Sequence, residues 1–268
     1  MQAMIFAAGL GTRLKPLTDT MPKALVRVGG APLLEHVIRR LTDAGCSRMV
    51  VNVHHFTNQI TDYLDTHNYG VDIYVSDETE QLLDTGGGIK RAASLFNQHQ
   101  PVLIHNVDIL SNVDLAAFYR HALETKADAL LLVSRRVTQR YLVFDSNMRL
   151  VGWTNVATGE VKSPHAELRQ LHFVSPTEAE SSYFQNNCYL YAFSGIHVLA
   201  SSAVEAVEAV DKDKFPIMEF YLNNCDRLDI RGELKTDLHL LDVGKLDSLQ
   251  AAEDFIANSE YRSSKAEN

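Results

Sequence analysis

The segment Met4-Ile-Phe-Ala-Ala-Gly-Leu-Gly-Thr-Arg-Leu-Lys-Pro-Leu-Thr18, followed by Pro22-Lys23, constrains this chain more than any other. The apolar run Met4–Ala8 is too short for a helix and reads as a buried strand, which Gly9 and Gly11 bring to an end. Glycines at such a point let the backbone take positive φ and aim several N–H groups at one anion. Arg13 adds a planar fork of donors suited to phosphate oxygens, and Lys23 adds a mobile point charge. Strand, glycine turn and two cations make a phosphate cradle. It is not a Walker loop, which needs Gly-x-x-x-x-Gly-Lys-Ser/Thr. The dinucleotide fingerprint needs a third small residue where Leu14 stands, so NAD and FAD are disfavoured. The plainer alternative is a tight turn with two surface cations.

With 268 residues, 46% of them hydrophobic, the chain can bury a real core without staples, as one large α/β domain or two fused halves. A formal charge of −9 argues against a nucleic-acid binder, though a few local cations still suffice for a nucleotide phosphate. Cys46, Cys188 and Cys225 form no Cys-x-x-Cys pair, so neither a disulfide scaffold nor a zinc site is expected. The chain opens on a strand rather than a leader, and no apolar run nears the ~20 residues of a membrane span. The expected setting is therefore cytoplasmic, without a membrane partner. Oligomeric state is not legible.

Helical spacing predicts helices over 32–44, 57–66, 89–96 and 115–124, alternating with apolar strands over 49–53, 71–75, 102–105 and 129–133. Such alternation implies a doubly wound, mainly parallel sheet with its ligand crevice beyond the carboxyl ends of the strands. From about Tyr141 the texture changes to short strands, expected at 141–144, 150–153 and 168–174. A core strand over 189–193, helices over 202–210 and 216–223, a strand at 238–241 and a helix over 246–257 complete the series. Residues 261–268 read as a frayed tail. The natural division is a first half, 1–135, and a second half, 136–268, within one compact domain.

Gly9 to Thr18 with Pro22-Lys23 resembles the signature of the sugar-1-phosphate nucleotidyltransferases, Gly-x-Gly-Thr-Arg-Leu-x-Pro-Leu-Thr and a spaced Pro-Lys. The resemblance implies a Rossmann-like sheet of the GT-A type with a small antiparallel sugar-side section. It also implies nucleotide contacts from Ala8, Gly9, Gly11, Thr12, Arg13 and Lys23. No hexapeptide repeat follows Val243, so no β-helical extension is expected. The chain is most similar to compact forms acting on N-acetylmuramate 1-phosphate or mannose 1-phosphate.

Asn106-Val-Asp108 follows one apolar run and Asp242 follows another, placing a carboxylate at two strand ends of one sheet. Such a pair suits an octahedral Mg²⁺ completed by phosphates and water. The resemblance implies the same, since an aspartate after the middle strand and one in a late Asp-x-Gly hold the family's metal. Leu83-Asp-Thr-Gly-Gly-Gly-Ile-Lys90 carries three costly glycines, so something must approach closely there. The resemblance implies that a glycine pair here lines the nucleobase and ribose, so Thr85, Gly86 and Gly87 are the expected nucleotide contacts, with a flexible hinge as the alternative. Asn187 and Gly195 resemble the sugar-phosphate side of the family. His54 and His55 could reach the cleft, Trp153 reads as core, and Glu78 and Glu80 as loop acids. The mid-chain Glu-Lys-Pro of larger relatives is absent; only Glu160-Val-Lys162 stands near, which leaves the sugar-phosphate ligand unassigned.

The expected reaction is attack of a sugar 1-phosphate on the α-phosphorus of a nucleoside triphosphate, with UTP favoured by Thr85–Ile89. Catalysis would rest on Arg13, Lys23 and Asp108 with Mg²⁺, and needs no general base because the nucleophile is already an anion. Two rivals remain: a metal-dependent glycosyltransferase, since Asn106-Val-Asp108 resembles its Asp-x-Asp, and a non-catalytic nucleotide-binding regulator.

Overall fold

The computed structural model describes residues 1–177 and 179–258, so the expected tail at 261–268 lies outside the described residues. The first half alternates as its periodicity requires. It runs β1 (Gln2–Phe6), β2 (Arg27–Val28), β3 (Ala31–Pro32), α1 (Leu33–Asp43), β4 (Arg48–Val53), α2 (Thr57–Asp65), β5 (Asp72–Asp77), α3 (Asp84–Ala92), β6 (Val102–Asn106), β7 (Ile109–Ser111), α4 (Leu115–Thr125) and β8 (Ala129–Ser134). The second half adds β9 (Arg140–Phe144), β10 (Leu150–Asn155), β11 (Glu160–Lys162), β12 (Phe184–Gln185) and β13 (Cys188–Leu199). It closes with α5 (Ser201–Glu208), α6 (Ile217–Asn224), β14 (Ile230–Leu234), β15 (Leu240–Asp242) and α7 (Ser248–Ala257).

One large sheet organises the molecule. β1 lies between β4 and β6, parallel to both, and β5 continues the parallel run at the edge. The unbroken apolar sequence of β1 follows from burial on both faces. Ala3 and Ile5 join one core with α1, α2, α4 and α7, whereas Met4 joins the other with α3, α5 and α6. Helices therefore cover both faces, as a doubly wound sheet demands.

β13 is the exception and the organiser of the second half. Its last residues, Ile196–Leu199, run antiparallel to β6, while Leu199, Val198 and His197 also face Ala129, Leu130 and Leu131 of β8. Its first half projects past the carboxyl ends of β6 and β1 and carries β9, β10, β11 and β12 as an antiparallel overhang.

Three expectations need correction. Leu168–Val174 is not a strand: a single turn of helix at Leu168–Gln170 precedes an unpaired segment. The Gln185 side chain accepts from Val174 N and donates to Val174 O, taking the place of a neighbouring strand. The helix expected over 89–96 begins instead at Asp84, with all three glycines inside α3. Trp153 is only half-buried, along a groove beside α6 rather than in the core. The short strands β7, β11 and β14 carried too little periodicity to be read in advance.

Candidate functional site

The glycine loop leaves β1 and turns under its own constraints. Gly11 has φ +64°, and a Cβ there would stand 2.8 Å from Thr18 Cγ2, so both conformation and space require glycine. Its carbonyl accepts from Leu14 N and from the Thr18 hydroxyl, each at 2.8 Å. Leu14 is fully buried and pins the following turn, Thr12–Leu14, leaving Thr12 and Arg13 exposed. Gly9 is exposed, and a Cβ added to it would meet nothing within 4 Å. The loop is thus anchored at both ends and open in the middle.

Asn52, at the end of β4, holds the loop from below. Its Oδ1 accepts from Ala7 N at 2.7 Å and Ala8 N at 3.3 Å, and its Nδ2 donates to Glu78 Oε1 at 2.7 Å. Glu78 Oε2 accepts from Leu83 N at 3.0 Å. One buried amide–carboxylate pair therefore ties the phosphate loop to the start of α3. Burial holds the Glu78 carboxyl above the usual carboxylate range, opposed by the donated hydrogen bonds. Glu78 reads from sequence only as a loop acid, and its contact with Asn52 could not be read because the partners lie 26 positions apart.

The two aspartates converge although 134 positions separate them in the chain. β15 pairs antiparallel with β7 so that Asp242 faces Ile109, and Val243 N donates to Asp108 O at 2.8 Å. This small two-stranded clamp, not the main sheet, sets the carboxylates side by side. Lys23 Nζ, nearly buried, makes an ion pair with Asp108 Oδ2. A Cβ on Gly244 would stand 2.6 Å from an Asp242 carboxylate oxygen and 2.7 Å from an Arg13 guanidinium nitrogen, which places Arg13 at the same spot.

Asp242 is open to water yet enclosed by protein on several sides. That partial desolvation, and next the negative charge of Asp108, hold its carboxyl above the usual range; Lys23, Arg13 and Arg136 pull the other way. Two hard carboxylates under mutual repulsion, facing an open cleft, fit a divalent cation that keeps waters and phosphates in its shell. Among the described residues no third His, Cys, Asp or Glu joins them as a closed metal cage.

A cavity of about 420 Å³ opens beside these groups, lined among others by Ala8, Gly9, Lys23, Asn106, Asp108, Leu82, Thr85 and Lys214. Thr85 is placed where the sequence puts it, although its hydroxyl accepts from Ile217 N at 2.9 Å. Gly86 and Gly87 serve another purpose. Both amides donate to the Phe215 carbonyl, at 2.8 and 3.1 Å. A Cβ on Gly86 would meet the Phe215 ring at 2.3 Å, and one on Gly87 would meet Asp213 O at 2.0 Å. The close approach read from the glycines is made at Gly86 and Gly87 by the protein's own segment 213–215, which carries Lys214 into the cleft, and at Gly88 by Glu78 and Asn52. Lys214, in Asp211-Lys-Asp-Lys-Phe215, was missed because a charge run reads as solvated surface.

On the sugar side, Gly195 sits against the cleft: a Cβ there would be 2.7 Å from Asn106 Nδ2. Asn187 does not share that position. Asn186 and Asn187, at φ +52° and +62°, form the two-residue turn joining β12 to β13. Eight residues of nearly continuous strand separate it from Gly195, roughly 25 Å at the usual rise. His54 Nδ1 donates to the Glu78 carbonyl at 2.7 Å and His55 packs on Phe56, so both anchor loops. Lys162 lies over the Trp153 ring at 5.1 Å, in the groove beside α6.

Comparisons with known proteins bear on this geometry. A family model described as nucleotidyl transferase matches residues 2–259. An N-acetylmuramate α-1-phosphate uridylyltransferase of Caulobacter vibrioides is 45% identical over 109 residues, covering 40% of this chain and 45% of that protein. A mannose-1-phosphate guanyltransferase of Schizosaccharomyces pombe is 28% identical over 230 residues, covering 81% of this chain and 56% of that protein. The chain thus spans about half the length of these curated relatives. The solved inositol-1-phosphate CTP transferase of T. maritima superposes with a TM-score of 0.69 at 16% identity, covering 99% of this chain and 97% of that one; it speaks to the fold.

Proposed function

The chain belongs to the nucleotidyl transferase family, and from that premise we propose that it joins a nucleoside triphosphate to a sugar 1-phosphate, releasing pyrophosphate. The observation that carries the reading is the meeting of Arg13, Lys23, Asp108 and Asp242 beside the glycine loop. The chemistry needs little else. A sugar-phosphate oxygen forms a bond to the α-phosphorus while the bond from that phosphorus to the β-bridging oxygen breaks. The bonding pair leaves with pyrophosphate. No proton moves, because a phosphate monoester is already largely dianionic near neutrality.

The protein's task is to hold two polyanions in line against their repulsion and to meet the charge on the departing group. Arg13 and the open amides around Gly9 face the outer phosphates. Lys23, fixed by Asp108, faces the α-phosphate. Asp108 and Asp242 are the residues that would hold Mg²⁺, which supplies charge neutralisation on the phosphates when bound. Asn52 keeps the loop amides in register, and Thr85 with Leu82 borders the space for the base and ribose. UTP is the favoured nucleotide, on the Thr85–Ile89 segment and on the 45% identity over 109 residues to a uridylyltransferase.

A matrix tests this: four nucleoside triphosphates against glucose, mannose and N-acetylmuramate 1-phosphates, with Mg²⁺, reading pyrophosphate. The expected outcome is release with one dominant pair containing UTP. Release of a nucleoside diphosphate instead would assign a glycosyltransferase, and tight nucleotide binding without turnover a regulator.

A further inference from the structure

The triphosphate cradle accounts for Arg13 and Lys23, and Lys214 enters the cleft beside Thr85, which leaves the β8 side of the carboxylates as the place to look for a cation that meets the sugar phosphate. The expected lysine is missing: Lys162 sits 5.1 Å over the Trp153 ring and 3.3 Å from Glu160, in the groove beside α6. A candidate stands elsewhere. β6 and β8 both run antiparallel to β13, so they point the same way, and Ile104 and Leu131 share His197 as their partner. β6 ends at Asn106 and β8 at Ser134, so Asp108 and the Arg135-Arg136 pair both leave the carboxyl edge of the sheet, from strands that flank β13 and lie roughly 10 Å apart at the usual spacing. Between them β13 presents Gly195, whose missing side chain makes room for Asn106.

The two arginines differ. Arg135 is committed to structure: its guanidinium pairs with Glu180, its carbonyl accepts from the Tyr183 hydroxyl, and its head lies 6.0 Å over that ring. Arg136 is exposed, and no hydrogen bond or ion pair engages it among the described residues. Its charge nevertheless reaches Asp242, as those of Arg13 and Lys23 do. It does so from the β8 side of the carboxylates, whereas the glycine loop approaches from the β1 side. Displacement in line requires that separation, with the leaving pyrophosphate on one flank of the α-phosphorus and the nucleophile on the other.

Resting on the activity proposed above, we infer that Arg136 binds the phosphate of the incoming sugar 1-phosphate. A guanidinium can meet two phosphate oxygens at once, which fixes the nucleophile's orientation as well as its place. Arg136 is therefore a substrate-binding residue acting on the second substrate alone.

The test uses the full chain and the pair that the parent turns over fastest. In Arg136→Ala the KM for the sugar 1-phosphate should rise on the order of 10- to 100-fold, the usual worth of a charge-assisted contact. The KM for the triphosphate should stay within about twofold, and Arg136→Lys should recover part of the loss. Calorimetric titration with the same sugar 1-phosphate, without nucleotide or metal, should show weakened binding in Arg136→Ala. The melting temperature should match the parent's, because Arg136 has no partner to lose, whereas Arg135→Ala should lower it. An unchanged sugar-phosphate KM, or a parallel rise in both KM values, overturns the assignment of Arg136 while leaving the activity standing. A parent that releases no pyrophosphate with any pair overturns the activity itself and takes this inference with it.

Discussion

The glycine loop and the antiparallel overhang both lie beyond the carboxyl edge of the parallel strands, but they are built on opposite plans. The loop is a contiguous stretch in which Gly9, Gly11, Thr12, Arg13, Thr18 and Lys23 lie within 15 residues. The overhang is assembled from β9, β10, β11 and β12 on the first half of β13, segments drawn from residues 140–199. Polyphosphate recognition can be local because it uses backbone amides and a few adjacent cations. In the proposed reading, the sugar phosphate would instead be met by isolated side chains such as Arg136. The lesson is that a short motif marks the nucleotide end, while the other substrate is read only from sheet register.

The sharpest break in that comparison comes from the residues that join the two sides. Lys23→Ala and Asp108→Ala should each lower turnover at least ~100-fold while the fold survives, since each removes charge stabilisation of the reacting phosphates. Steady-state pyrophosphate release alongside far-ultraviolet circular dichroism checks both; near-parental turnover in either would remove the catalytic assignment.

Two glycines separate space reserved for ligand from space filled by protein. Gly87→Ala gains about 1 kcal/mol of helix propensity but drives a methyl into Asp213 O, a clash worth more than that gain. The net expectation is a loss of about 2 kcal/mol in denaturant unfolding. Gly9→Ala should leave stability within about 0.5 kcal/mol, because nothing lies near the added methyl, yet raise the triphosphate KM. Equal stability losses at both positions would erase the distinction.

Asn52→Ala should raise the triphosphate KM roughly 10-fold and leave the sugar-phosphate KM nearly unchanged, since it frees two loop amides and strips one partner from buried Glu78. Kinetics with each substrate varied in turn decide it.

The pH dependence is smaller. Asp242 has its folded pKa raised above the ordinary 3.8, first by desolvation and then by Asp108. A raised carboxyl means the folded state holds that proton more tightly than the unfolded chain. Its contribution to stability is thus present at low pH and lost as pH rises through the folded value. Thermal melts without divalent metal should show this loss, Mg²⁺ should reverse it, and Asp242→Asn should flatten it. The smallest effect is Asn187→Ala, at the hairpin tip: less than about twofold on either KM. A larger change there would return Asn187 to the sugar side.

Much of the molecule could be read from the chain because its signals are local. Alternating periodicities gave the parallel half, and the apolar run at β1 gave a strand buried on both faces. Gly11 could be anticipated because positive φ and a crowded Thr18 leave no other residue. What tertiary structure decided is which distant groups meet. The β7–β15 clamp brought Asp242 to Asp108, and Asn52 bridged the loop to Glu78. Gly86 and Gly87, which looked poised for ligand, were taken by segment 213–215, because only packing distinguishes a gap left for substrate from one left for the protein's own backbone. Local sequence fixes dihedral freedom and periodicity, whereas partners separated by many residues are set by sheet register, which no short window contains.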